Sequence, residues 1–103
     1  KQNYAEAYRW FTDAAGNENI GAAYYLGKMQ MYGEGCTPDP EAAVQWLLKA
    51  AEKNNDKAQF DLGNAYLTGN GVEENDDVAM EWFEKAAENG NEKALKITGR
   101  RRK

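Results

Sequence analysis

Aromatic, apolar and cationic side chains recur in a row: Tyr24, Lys28 and Met31, then Lys57, Phe60, Asn64 and Leu67, then Lys93, Lys96 and Arg100. The chemistry open to them is recognition. Aromatic and apolar groups anchor a ligand by burying area, while ammonium and guanidinium groups pair with carboxylates. Their spacing places them on one side of successive helices. At 100° per residue, Tyr24 and Lys28 stand about 160° from Leu26, and Met31 stands about 140° from it. Phe60 and Asn64 flank Leu62 in the same way, with Lys57 and Leu67 further out; Lys96, Arg100 and Lys93 repeat the pattern around Thr98. Two aromatics on one exposed face exceed scattered exposure, so the row is expected to bind a partner segment. The competing reading is that Tyr24 and Phe60 pack against adjacent helices while the lysines are solvated.

Catalysis finds little support. The chain has no histidine, which removes imidazole acid–base chemistry, the usual activator of Ser or Cys nucleophiles, and the commonest metal ligand. Cys/His zinc sites go with it. The single cysteine, Cys36, permits no intrachain disulfide and stands where the matching later position holds Val72, so it reads as an apolar stand-in. Gly33-x-Gly35 and Gly69-x-Gly71 lack the Gly-Lys-Ser/Thr of a phosphate loop and read as helix-ending turns. Glu73, Glu74, Asp76 and Asp77 lack EF-hand spacing and read as capping. No metal site and no cofactor are expected, and no enzyme.

These positions require helices to hold them. Ala7, Trp10, Phe11, Ala14 and Ala15 fall at i, i+3, i+4, i+7 and i+8, one stripe of a helix over 1–16. Gly16-Asn17-Glu18-Asn19 breaks it and offers Asn as the N-cap of a second helix, from about Ile20 to Tyr32, which Gly33-x-Gly35 ends. Asp39-Pro40 opens a third that runs to about Lys53, with Pro40 at the first helical position. A fourth follows Asn54-Asn55-Asp56 from about Lys57 to Thr68, a fifth follows Asn75-Asp76, and a sixth starts near Glu92. No stretch alternates with period two, so no strands are expected.

Two signatures recur every 36 residues. One is Ala22-x-x-x-Leu26-Gly27, repeated at Ala58, Leu62 and Gly63 and decayed at Ala94 to Gly99. The other is Trp10-Phe11-x-x-Ala14-Ala15, repeated as Trp46-Leu47-x-x-Ala50-Ala51 and Trp82-Phe83-x-x-Ala86-Ala87. A period of this length, with short turns, means antiparallel helix pairs that bury their apolar faces by stacking. The chain is expected to be one all-α domain over 1–103: a leading helix at 1–16, repeats at 19–54 and 55–90, and a partial repeat at 91–103. The three tryptophans lie on the apolar stripe and are expected to be buried packing.

The order Leu-Gly, Gly-x-Gly, then Ala-x-x-Trp with a following Leu or Phe and an Ala-Ala pair resembles the Sel-one-like repeat (SLR) family, relatives of the tetratricopeptide repeats. Ala22, Leu26, Gly27, Gly33, Gly35, Ala43, Trp46, Leu47, Ala50 and Ala51 occupy the motif in the first repeat. Ala58, Leu62, Gly63, Tyr66, Gly69, Gly71, Val72, Ala79, Trp82, Phe83, Ala86 and Ala87 occupy it in the second. Gln30 where the second repeat has Tyr66, Cys36 for Val72, and Thr98 for the motif Leu are departures; the last marks a truncated or capping end. Where relatives staple each repeat with paired cysteines, this chain cannot. The resemblance implies a right-handed α–α superhelix of about six helices. It further implies protein–protein interaction as an adaptor, with the Tyr24-to-Arg100 row lining the concave groove.

Charge refines the expected partner. Residues 1–92 hold all 17 Asp+Glu and only seven of the 13 Lys+Arg; residues 93–103 hold the other six. Glu41, Glu52, Asp77, Glu81, Glu84 and Glu88 are expected on an acidic convex surface, opposite a basic groove that steers in an acidic protein or peptide. The acidic body argues against nucleic acid as the main ligand, and Arg100 to Lys103 read as a solvated end. No apolar run is long enough to span a bilayer. The chain starts without Met and in mid-pattern, as a fragment of a longer protein would, and its composition assigns no compartment. The expected state is a monomer or weak end-to-end association through unpaired repeat ends. The alternative function is a spacer within a longer scaffold, with no ligand of its own.

Overall fold

A computed structural model of the chain describes residues 4–16 and 19–99. Six helices follow one another among the described residues: α1 (Tyr4–Gly16), α2 (Ile20–Tyr32), α3 (Pro40–Glu52), α4 (Asp56–Thr68), α5 (Asp76–Glu88) and α6 (Glu92–Thr98). Each start has a local cause. Asn19, Asp39, Asn55, Asn75 and Asn91 are N-caps whose side chains accept from the backbone N–H of Ala22, Ala42, Ala58, Val78 and Ala94. Each thereby satisfies a donor that the helix itself cannot. α2 and α4 end at Gly33 and Gly69 in the left-handed region, whereas α3 turns through Asn54 at φ 69°.

The helices fall into two alternating types. α2, α4 and α6 carry the Leu-Gly signature or its remnant; α1, α3 and α5 carry the Trp signature. Each helix packs on its sequence neighbours, α2 on α3 and α4 on α5 within repeats, α3 on α4 between them. The glycine of each Leu-Gly pair sets how closely the helices approach. A methyl group at Gly63 would fall 2.5 Å from Phe83 Cε1, and one at Gly27 would fall 2.9 Å from Leu47 Cγ. Neither site tolerates a Cβ without moving a buried side chain, because interiors are close-packed.

Stacking fuses the repeats into one body. Ala22, Leu26, Val44, Leu47, Ala58 and Leu62 belong to one buried cluster that runs from α2 through α4. The turns are tied back in register: Asp39 N–H donates to Gln30 O (2.7 Å) and Asn75 N–H to Tyr66 O (2.9 Å). The resulting solenoid measures 40 × 28 × 26 Å.

The tryptophans differ from expectation. Trp46 and Trp82 are half-buried, and Trp10 is 66% exposed. The fully enclosed position is the next residue, Leu47 or Phe83, which meets the glycine of its partner helix. The indole lies at the edge of the stripe, where Lys49 and Lys85 extend over the Trp46 and Trp82 rings at 5.4 and 5.9 Å. Trp10 has Asp13 at the position that holds Lys49 and Lys85 in the later repeats.

Candidate partner-binding groove

The Trp-type helices turn their acids outward: Glu41, Glu52, Asp77, Glu81, Glu84 and Glu88 are all exposed. The Leu-Gly-type helices form the other side of the molecule. Between α2, α4 and the start of α6 lies a cleft of about 510 Å³. Tyr24, Lys28, Lys57, Phe60 and Lys93 line it, together with Asp56, Asp61 and Glu92. A second cleft of about 220 Å³ includes Met31, Asn64, Tyr32 and Thr68. Lys28 and Asp61 line both, so the two are neighbours along α2 and α4.

Five of the row's residues thus surround one cleft, and Lys28 joins Met31 and Asn64 at the second. The Met31 sulfur accepts from Asn70 Nδ2 (3.1 Å), which ties α2 to the turn after α4. Leu67 and Lys96 are exposed but line neither cleft. Arg100 lies outside the described residues.

Tyr24 requires a correction. It is 7% exposed and belongs to the main buried cluster with Ala58 and Leu62 of α4. The reason is architectural. A Leu-Gly helix in a solenoid is covered twice, by its own Trp-type helix on the Leu26 side and by the next repeat on the far side. Tyr24 is therefore floor, with no free face to offer as an anchor. Phe60 is half-buried: its ring lies 5.5 Å from that of Phe83 and packs on Ala86, Ala87 and Ala94. Both rings are packed, Tyr24 wholly and Phe60 in part, the latter chiefly against α5. The ammonium groups cover what remains, Lys28 at 5.6 Å from the Tyr24 centroid and Lys93 at 5.9 Å from that of Phe60, each a cation–π contact.

The charge expectation also changes. Three lysines in the main cleft face three carboxylates, so the groove is mixed rather than basic. Asp61 is half-buried between Lys28 and Lys93. Burial pushes its carboxyl above the usual range, and the two lysines pull it partway back. Asp56 accepts from Asn91 Nδ2 (2.9 Å), a bond that ties the first turn of α4 to the cap of α6. The exposed rim carries Lys57, Lys93 and Glu92, a small positive excess. Burial, then the Asp61 charge, push the Tyr24 phenol far up.

Asp61 escaped the sequence reading because it directly precedes Leu62, about 100° away on the helix rather than opposite it. Gln59 escaped it too. This fully buried side chain donates from Nε2 to Ala51 O (3.0 Å) and accepts from Asn89 Nδ2 (2.9 Å), which joins α4 to the ends of α3 and α5. The first repeat has Ala23 there, so the repeat pattern carries no signal for a polar group. Cys36 is half-buried with its Sγ 3.7 Å from Met29 O, and burial raises its thiol pKa. Among the described residues no cluster of His, Cys, Asp or Glu is placed to hold a metal ion. No described helix is long and apolar enough to cross a membrane.

Comparison with known proteins agrees with this geometry. The Sel1 repeat model matches residues 1–18, 20–55 and 56–91. Among solved structures, the chain is similar to a Sel1 repeat protein from Oxalobacter formigenes, with 33% identity and a TM-score of 0.90 over 96% of this chain and 40% of that one. It is similar to a protective antigen of uropathogenic Escherichia coli strains displaying an SLR fold, with 38% identity and a TM-score of 0.92 over 95% of this chain and 21% of that one. It also resembles Helicobacter pylori cysteine rich protein B, with 28% identity and a TM-score of 0.82 over 87% of this chain and 68% of that one. The chain thus spans less than half the length of the first two. No match was found among curated proteins.

Proposed function

From the premise that the chain belongs to the Sel1 repeat family, we propose that it is a non-enzymatic interaction module whose α2–α4–α6 side receives a segment of a protein partner. The observation that carries this reading is the cleft of about 510 Å³ that crosses three successive Leu-Gly helices. Its floor is aromatic and already satisfied by packing, so it gives shape. Lys57 and Lys93 are the exposed cations at its edge, and a partner bearing carboxylates meets them first. Asp61 and Asp56 beneath them temper that preference and favour a segment of mixed charge over a uniformly acidic one.

The test is selection of peptides from a random displayed library on the purified chain, followed by titration of the winners against Lys57→Glu/Lys93→Glu. Two rim charges at up to about 1 kcal/mol each predict weakening of up to roughly thirtyfold. Circular dichroism of the variant should match the parent, because both side chains are exposed. Selected peptides that bind the variant equally well would remove the groove from consideration.

A second reading draws on one observation, that solved relatives extend well beyond the matched region. The chain would then be a spacer that sets the distance between binding surfaces elsewhere. Failure of the library to yield any binder would favour it.

A further inference from the structure

Asp61 is a carboxylate that the scaffold does not ask for. The repeat register places Tyr25 and Ile97 at the same point of the other Leu-Gly helices, so an aromatic or apolar group satisfies the fold there. Asp61 is half-buried, and burial works against its charge. Lys28 and Lys93 act on it through charge alone. Their ammonium groups stand over the Tyr24 and Phe60 rings, and among the described residues no hydrogen bond or ion pair reaches the carboxylate. A half-buried acceptor is costly until a donor completes it. The cleft of about 220 Å³ beside Asp61 lies inside the stack, between α2 and α4, and reaches down to α3. Its deepest lining is apolar, the buried Leu47 and Ala65, together with the half-buried Met31. Asp61 and Asn64 are half-buried polar groups in its lining, and Thr68 is exposed at its edge. Small-molecule sites run from roughly 300 to 1,000 Å³, so this cleft lies below their range and suits one large side chain.

We propose that this cleft is the anchor subsite of the groove: one large apolar side chain of the partner segment enters onto Leu47, Ala65 and Met31, and a main-chain N–H beside that anchor donates to Asp61. The inference rests on the groove reading above and adds which residue of the partner is held, and by what. The lining selects the side chain. Leu, Met or Phe exchanges water for the buried Leu47 and Ala65, and the flexible thioether of Met31 adapts to its shape. Charge selects the donor. Lys28 and Lys93 already place two positive charges near Asp61, so an Arg or Lys of the partner is repelled whereas a neutral N–H is not. The bond is charge-assisted, since the acceptor is ionised. A helical segment has already paired its own amides, so the partner passes Asp61 in extended form. Lys28 and Asp61 line both clefts, so the chain that leaves the anchor enters the main cleft, where Lys57 and Lys93 meet its carboxylates.

Peptides selected on the purified chain from a random displayed library test it. Thr68→Trp, at an exposed site on the edge of the cleft, fills its mouth. It is expected to weaken the peptides roughly tenfold or more with unchanged circular dichroism. An alanine scan of each peptide is expected to find one Leu, Met or Phe whose loss costs about as much, and nothing further once Thr68→Trp is present. Asp61→Leu is expected to fold, because Tyr25 and Ile97 occupy that place in the other repeats, and to weaken binding roughly tenfold. Asp61→Asn keeps a carbonyl acceptor and is expected to lose less. An ester in place of the amide beside the anchor is expected to weaken binding to the parent chain and to make no difference to Asp61→Leu. Peptides indifferent to Thr68→Trp and Asp61→Leu, yet weakened by Lys57→Glu/Lys93→Glu, would overturn the anchor and leave the groove standing. Peptides that depend on an Arg or Lys in place of an apolar residue, or an ester peptide that binds the parent as tightly as the amide, would overturn it as well. A library that yields no binder would overturn both readings.

Discussion

Asp61 shows how one side chain can serve a site at a cost to the fold. Its carboxylate sits between Lys28 and Lys93, but burial outweighs both and leaves its pKa above the usual 3.8. The native state therefore takes up a proton at higher pH than the unfolded chain does. Linkage sets the sign: Asp61 adds stability as pH falls through its raised native value, the gain is complete below 3.8, and it is lost again as pH rises. Asp61→Asn cannot ionise, so it is expected to melt above the parent at neutral pH. That advantage should shrink as the pH approaches 4. A melting difference that is the same at pH 7 and pH 4 would show that the two lysines fully offset desolvation and leave the carboxyl unshifted.

Helix caps separate what a helix does for itself from what it does for its neighbours. Asn55 and Asn91 occupy equivalent places and cap α4 and α6 in the same way, at 2.9 Å to Ala58 N and Ala94 N. Asn91 also donates to Asp56 of the preceding repeat. Asn55→Ala is expected to cost about 1 kcal/mol, the usual value of a cap. Asn91→Ala also removes a hydrogen bond to a carboxylate and is expected to cost about 2 kcal/mol or more. Urea unfolding measures both; equal losses would mean that the inter-repeat bond adds nothing. The same distinction applies to Gln59, whose two bonds reach two other helices and act on stacking rather than on α4 alone.

Over the whole molecule, stability follows position in the stack. α3 and α4 have packed neighbours before and after them, whereas α6, of 7 residues, packs on α5 and touches α4, with no described helix after it. Nearest-neighbour coupling in a solenoid makes its ends open first. Hydrogen exchange in dilute protein is expected to be slowest in α3 and α4, faster in α1, and fastest in α6. Uniform protection across all six helices would indicate a single cooperative unit in place of a graded stack.

The sequence by itself determined the all-α class, the 36-residue period, the two helix types and the Asp39 cap, and it marked the Asn-rich turns in which the other caps lie. Each of these depends on a local cause: an Asn or Asp before a helical stripe, a glycine where the chain turns left-handed, or a glycine paired with a leucine at fixed spacing. It also placed Lys28, Lys57 and Lys93 on a common side. Only the tertiary structure decided what that side is. A single-helix projection recognises one buried stripe, and α2 has two, because a helix inside a stack is covered by its partner and by the next repeat. Tyr24 consequently became floor, Asp61 entered the groove from a flanking angle, and Trp10, chemically identical to Trp46 and Trp82, was left bare. Burial of a repeated residue depends on which neighbour stands beside its helix, and the repeat motif is the same whether that neighbour is present or not.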